Sequence, residues 1–137
     1  MAQFVDASVI ITLERTGRGF EDLRKVTDPD ESLALAAVTA SELLVGVHRA
    51  ASPSQRFRRQ ASIEGLIERL TVFPFDLNAA RIHARLAAEL AAQGQMVGAH
   101  DLILAATALS NGYAVLTDNV REFTRVPGLE VRQPRWS

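Results

Sequence analysis

The chain has 137 residues, of which 47% are hydrophobic and 23% charged, and its formal net charge at pH 7 is −1. This length fits one domain over residues 1–137, and the composition excludes a disordered tail or a fibre. The absence of cysteine excludes disulfides, thiolate catalysis and cysteine-ligated metal sites. The sequence shows neither a membrane-spanning stretch nor a signal peptide, so we expect a cytoplasmic protein without a membrane partner.

Short apolar runs alternate with longer helical patterns along the chain, which predicts an α/β domain. Strands are predicted over residues 3–5, 33–38, 71–75, 113–116 and 129–131. Helices are predicted over residues 8–15, 20–26, from 39 onward, after 53, from 76 to 94, and over 102–109. We expect a single three-layer α/β/α domain with a central, mostly parallel sheet of about five strands and about seven helices.

Two helix starts carry capping signals. Thr39 and Glu42 have the spacing of a capping box, which predicts that a helix opens at Thr39. Asp76 is predicted to cap the helix that Gly94 ends. The run after Asp101 is apolar nearly all round, which is typical of a buried, central helix.

Four acidic residues stand where a strand ends or a helix begins: Asp6, Glu42, Asp101 and Asp118. A helix of about ten steps descends about 15 Å from Asp101, and about five strand residues climb about 16 Å back to Asp118. The two residues should therefore share the sheet edge at which Asp6 and Glu42 also lie, where sites form in open parallel sheets. Carboxylates gathered there would repel one another unless a hard divalent cation neutralised them. Ordinary helix caps and partners of helix dipoles are the alternative interpretation of each acid.

Four motifs in this order carry a family resemblance: VDAS at 5–8, TASELLVG at 39–46, GAHDLILAATA at 98–108 and LTDNVREF at 116–123. With them the chain resembles the PIN domain nucleases and, within that family, the VapC toxins of bacterial toxin-antitoxin modules. The resemblance implies a PIN-like fold and a Mg²⁺-dependent endoribonuclease in which Mn²⁺ can substitute. It also implies inhibition of translation, a VapB-like antitoxin partner and a homodimer.

The resemblance also implies which residues form the catalytic site. Asp6 and Asp101 would hold the metal, and Glu42 and Asp118 would complete the site or orient the attacking water. Asn119 and Glu122 compete with Asp118 for the fourth position, because similar sequences often carry an acidic residue three places after an Asn. We expect Asp118 to fill it.

Further residues are candidates for contacts with RNA or with a partner. Ser8 and Thr117 carry hydroxyls that could bond a ligand carboxylate, a metal-bound water or the substrate, or that could simply cap their helices. The basic patch is predicted to contact the RNA backbone or an acidic antitoxin tail, with a solvated face as the alternative. It consists of His48, Arg49, Arg56, Arg58 and Arg59.

Two other features have both a structural and a functional interpretation. His100 is expected to line the pocket beside Asp101 more readily than to act as a base. Apolar residues near the amino end would form either core or a groove for an antitoxin helix. They are Val9, Ile10, Leu13, Phe20 and Leu23.

Other functions remain open. A PIN nuclease of RNA processing, acting without an antitoxin, would carry the same four acids. A receiver-like signalling module with an acidic pocket would need paired acids after the first strand and a lysine near the last, whereas this chain has a lone Asp6 and its only lysine at Lys25. The RNA target is expected to be transfer or ribosomal RNA.

Overall fold

The structure is a computed structural model, and it describes residues 2–136. The strands are β1 (Ala2–Val5), β2 (Ser32–Ala36), β3 (Thr71–Phe73), β4 (Ala114–Leu116) and β5 (Val131–Arg132). The helices are α1 (Ala7–Arg15), α2 (Phe20–Lys25), α3 (Ala37–His48), α4 (Pro53–Arg69), α5 (Leu77–Ala92), α6 (Ala99–Asn111) and α7 (Val120–Phe123). The predicted number of strands and helices is confirmed within this part of the chain.

The five strands form one parallel sheet in the order β3-β2-β1-β4-β5. β1 is central, with Phe4 paired to Ala34 of β2 on one side and Val5 paired to Leu116 of β4 on the other. The chain order therefore reverses between β1 and β4, and the loops that follow these two strands lie side by side. In open α/β sheets such a reversal is where ligands bind.

Alternating side chains of the strands divide the core into two halves. Val5 and Leu116 face a cluster built with α1 to α4, whereas Phe4 and Val115 face a second cluster with α5, α6 and α7. Successive residues of a strand point to opposite faces, and here helices cover both faces of the sheet. Each β1 residue after Ala2 is therefore buried. The α/β/α layers are thus confirmed. Within residues 2–136 no helix is long and apolar enough to cross a membrane.

α6 is the buried helix that the apolar run predicts, with Leu104, Ala105, Ala106 and Ala108 fully inaccessible to solvent. It packs mainly against α5 and also contacts α3 and β4. Small side chains let the neighbouring elements approach closely, so the first turn of α6 is held at the sheet edge by packing along the rest of the helix.

The structure corrects two local predictions. β2 ends at Ala36 and α3 begins at Ala37, so Thr39 lies inside the first turn and its hydroxyl is buried without a hydrogen-bond partner in residues 2–136. The capping box of Thr39 and Glu42 is therefore wrong, because the helix starts two residues earlier. The last strand lies over 131–132 rather than 129–131. The Asp76 cap is confirmed by its hydrogen bond from the Ala79 N–H at 2.9 Å.

Candidate active site

Asp6 occupies the junction between β1 and α1, where it is 5% exposed. Its Oδ2 accepts hydrogen bonds from the hydroxyls of Ser8 and Thr117, each at 2.8 Å. Oδ1 has no donor among residues 2–136, so one oxygen of the carboxylate is held and the other is available. Such partners fix the direction in which a metal-binding carboxylate points.

Pairing of β1 with β4 brings the two ends of the chain together at this point. The Asp6 N–H donates to the Leu116 carbonyl at 2.9 Å, which places Thr117 beside Asp6. Ser8 and Thr117 therefore bond a carboxylate, one of the roles considered for them from the sequence. Their contact with substrate stays a prediction.

Asp101 and Glu122 lie next to each other across Gly98. A Cβ built on Gly98 would lie 3.4 Å from Glu122 Oε1 and 3.5 Å from Asp101 Oδ2. Glu122 accepts hydrogen bonds from the Gly98 N–H and from the Asn119 side chain, each at 2.6 Å. The fourth acid of the cluster is thus contributed by α7, three residues beyond Asn119.

The charges of these acids act on one another. Burial, a hydrogen bond with Glu122 and the nearby charge of Asp6 raise the pKa of Asp101 to about 8. The same hydrogen bond, together with the Gly98 N–H, lowers the pKa of Glu122. The two shifts favour a proton shared by the pair on the Asp101 side, and such a proton reduces the repulsion within the cluster.

Glu42 enters the cluster from α3. Burial, followed by the charge of Asp6, raises the pKa of Glu42. Its Oε1 is buried without a hydrogen-bond partner in residues 2–136, and its Oε2 lies 3.6 Å from His100 Nδ1. His100 is itself 57% exposed and lines an open cavity of about 310 Å³ together with Glu42 and Asp101. This position agrees with the expectation that His100 lines the pocket.

The structure does not bring the Asp118 carboxylate into the cluster. Its Oδ1 accepts a hydrogen bond from the Trp136 indole at 2.7 Å, and its Oδ2 lies 2.9 Å from the Thr12 hydroxyl. Both oxygens are therefore engaged on the far side of the turn, and the geometry favours Glu122 over Asp118 as the fourth acid. Sequence reasoning named Glu122 as a second choice and missed Trp136 altogether.

The donors at this edge fit a hard divalent cation. They are carboxylate oxygens, which Mg²⁺ and Mn²⁺ prefer, and the buried Glu42 Oε1 and the available Asp6 Oδ1 both lack a donor. As they stand, no three His, Cys, Asp or Glu side chains in residues 2–136 converge in a group that could hold a metal ion. The donor chemistry is therefore present, although the carboxylates do not converge on a single point.

Comparison with known proteins identifies the family. The profile of the PIN domain matches residues 4–129. The chain belongs to the PIN domain family. It is 34% identical over 131 residues to Ribonuclease VapC1 of Rickettsia felis, a match that covers 96% of this chain and 95% of that protein. It therefore belongs to the VapC ribonucleases within that family.

Two further relatives have informative names. The tRNA(fMet)-specific endonuclease VapC of Salmonella typhimurium is 37% identical over 99 residues, which cover 72% of this chain and 73% of that protein. A crystal structure of VapBC-5 from Mycobacterium tuberculosis, described as a member of the VapBC family of toxin-antitoxin systems, is similar with a TM-score of 0.74 and 35% identity. That match covers 98% of both chains.

The basic patch of this PIN domain divides into two kinds of arginine. Arg49 and Arg56 are exposed, and the only hydrogen bond of the Arg56 guanidinium within residues 2–136 is a long one, 3.5 Å to the His48 carbonyl. Arg58 is also exposed and bonds the nearby Ser54 hydroxyl. Arg59 instead is bound to Glu14 at 2.6 Å and to the Gly46 carbonyl at 3.1 Å. Arg59 thus ties α4 to α1 and α3, whereas the other three are exposed and form no ion pair within residues 2–136.

The apolar residues near the amino end of the PIN domain are both core and groove. Val9, Ile10, Leu13 and Leu23 belong to the first core cluster, as the safer interpretation predicts. Ile10, Leu13 and Leu23 nevertheless also line a depression between α1, α2 and α4, which contains Phe20 as well. Arg18 and Arg59 flank this depression and its continuation toward Gly46.

We expect Asp101→Asn to stabilise the protein in EDTA at pH 8. The raised pKa means that Asp101 contributes stability below its unfolded pKa near 4, and that this contribution is lost as pH rises through about 8. The variant should gain about 1 to 2 kcal/mol in the free energy of unfolding at pH 8, less than the full shift implies because the carboxyl is partly exposed. Urea titrations at pH 5 and pH 8 measure it. Parallel pH dependences of the two proteins would contradict the assignment.

Proposed function

We propose that this chain is the toxin of a VapBC-type toxin-antitoxin module, a metal-dependent endoribonuclease that blocks translation until its antitoxin binds. The observation that carries the proposal is the cluster of four carboxylates, brought to one sheet edge by four different elements in a member of the VapC ribonucleases. Cytoplasmic location and a homodimer remain part of the same prediction.

The four acids have different roles in this proposal. Asp6 and Asp101 hold the metal, Glu42 and Glu122 complete its surroundings, and Mg²⁺ is the natural ion, with Mn²⁺ as a substitute. A bound divalent cation supplies charge neutralisation at the phosphate and lowers the pKa of water. Ser8 and Thr117 orient Asp6, and the Gly98 N–H orients Glu122.

Transfer RNA is the substrate that we propose. The support is the relative whose name states tRNA(fMet) as its target, at 37% identity. Arg49 ends α3 and lies about 10 Å along the helix from Glu42 at the helical rise per residue. Arg56 reaches the same end of α3 through the His48 carbonyl, and Arg58 follows it on α4. Arginines at that distance can bind phosphates that flank the cleavage point.

An antitoxin segment is the occupant that we propose for the depression between α1, α2 and α4. Its floor is apolar, with Leu13, Phe20 and Leu66, and its edge carries Arg18. An amphipathic helix with acidic residues at its margin complements both features. The support from relatives is the toxin-antitoxin complex named above.

Cleavage of purified transfer RNA tests the enzyme. The wild type should cut with Mg²⁺ or Mn²⁺ and not with EDTA, and Asp101→Asn and Glu122→Gln should each lose at least about a hundredfold in rate. Glu89→Gln is the matched control, because Glu89 is exposed on α5, outside the cluster. Loss of activity in Asp101→Asn but not in Glu122→Gln would show that a residue other than Glu122 is the fourth acid of the site. A wild type that cuts no RNA under any of these conditions would contradict the proposal.

Charge reversal tests the arginines separately. Arg56→Glu combined with Arg58→Glu should weaken RNA binding and flatten its dependence on salt. With fewer phosphate contacts, fewer counterions are released from the RNA on binding. The measurement is the RNA dissociation constant at several salt concentrations, with inactive Asp101→Asn as the background. If the dissociation constant keeps the same dependence on salt, the basic patch does not contact the RNA.

A bulky residue in the depression tests the antitoxin surface. Ser62 is exposed and lines the depression, so Ser62→Trp should fill it and weaken antitoxin binding at least about tenfold. Calorimetry with a VapB-like antitoxin that binds the wild type measures the change, and circular dichroism checks the fold. Unchanged affinity would place the antitoxin elsewhere.

A further inference from the structure

The last residues of the described chain return across the first core cluster. After β5 the Arg135 N–H donates to the Val26 carbonyl at 2.9 Å, and Pro134 is buried. The Trp136 ring packs against that core cluster, and the Arg18 guanidinium lies 5.3 Å from its centroid. The tail is thus fixed by a backbone bond, by burial and by a cation over its terminal aromatic ring.

This tail ends on a carboxylate of the site-bearing turn. The Trp136 indole N–H donates to Asp118 Oδ1 at 2.7 Å, in a partly buried position. The Thr12 hydroxyl of α1 lies 2.9 Å from the other oxygen, Asp118 Oδ2, and 3.0 Å from the Ser8 carbonyl. Trp136 is the only indole in the chain, and its N–H can only donate.

The turn over residues 117–119 supports two acids of the cluster with its remaining groups. The Asp118 N–H donates to Ser8 Oγ at 3.1 Å, and the Asn119 N–H donates to Thr117 Oγ1 at 2.8 Å. Those hydroxyls in turn donate to Asp6, and the Asn119 side chain donates to Glu122. Among the side chains of this turn, that of Asp118 alone bonds the tail and α1 and not an acid of the cluster.

We propose that Trp136 is a positioning residue, which acts through Asp118 to hold the turn that orients Asp6 and Glu122. The acids contact the cation and the RNA, and Trp136 contacts neither. Displacement of the turn would loosen both ends of the cluster at once, because Asp6 and Glu122 take donors from Thr117 and Asn119, the residues on either side of Asp118. Partners that orient metal ligands in this way typically change metal affinity or activity by about 10- to 100-fold when removed.

The first experiment needs no catalysis. Trp136→Phe removes the N–H and keeps an aromatic ring for Arg18 and the core. Hydrogen exchange of the Asp118 and Asn119 amides, followed by NMR in EDTA, should accelerate about tenfold, while amides of α6 keep their rates. The Mn²⁺ dissociation constant from calorimetry should rise about tenfold. Arg135→Gln is the matched control, because Arg135 is the preceding, exposed tail residue and its bond to Val26 uses the backbone.

A double-mutant cycle tests whether the effect passes through Asp118. Trp136→Phe should cost about tenfold in Mn²⁺ affinity in the wild type and nothing further in Asp118→Ala, because the acceptor is already gone. The activity readout rests on the nuclease function proposed above. There, kcat at saturating metal should fall about tenfold with the KM for RNA within about twofold.

Three results would overturn the proposal. They are additive effects in the cycle, unchanged exchange of the two amides, and a Trp136→Phe variant that loses thermal stability but keeps wild-type Mn²⁺ affinity. Failure of the nuclease function is distinguishable from these results, since it would appear as a wild type that binds Mn²⁺ and cuts no RNA. Exchange rates and Mn²⁺ affinity decide the role of Trp136 in either case.

Discussion

Repulsion between carboxylates is the constraint around which this molecule is arranged. A parallel sheet delivers the ends of its strands to one edge, and here that edge collects acids from the β1–α1 junction, α3, α6 and α7. Like charges that are partly removed from water are unfavourable, and burial, together with the hydrogen bond to Glu122 and the charges of Asp6, Glu122 and Glu42, raises the pKa of Asp101. The surrounding donors offset part of this cost, with two hydroxyls on Asp6 and a backbone N–H on Glu122. The negative charge that these donors do not offset attracts a cation.

The two cores hold these charges in place from opposite faces of the sheet. Asp101 stands at the start of a helix whose later turns are completely buried, so its position follows from the packing of α6 against α5 and not from a loop. Asp6 follows a strand that is hydrogen-bonded on both sides. Sites built on such rigid elements keep their geometry better than sites built on loops. Glu122 is the exception, since α7 spans only Val120–Phe123 and depends on Gly98 and Asn119 for its orientation.

The parts that sequence reasoning predicted are those that follow from periodicity and from parallel strands ending together. Asp6, Glu42 and Asp101 lie near one another because their positions depend on whole elements. The choice between Asp118 and Glu122 depends instead on which way one side chain of a tight turn points, and that direction is decided by Trp136 and Thr12, distant in sequence. The bond between Arg59 and Glu14 could not be predicted either, because the two residues are 45 positions apart in the sequence. Tertiary partners of this kind leave no local signal.

The position of the acids along the chain has a consequence for biosynthesis. Asp6 and Glu42 leave the ribosome early, whereas Asp101 and Glu122 belong to the last third of the chain, and β4 must form before β1 is paired on both sides. A growing polypeptide therefore contains Asp6 and Glu42 before β4 has formed, and β4 is the strand that brings Glu122 to the same sheet edge. The acidic cluster assembles only after α7 has left the ribosome, so a copy translated no further than β4 lacks Glu122 and has no complete set of acids with which to attack RNA.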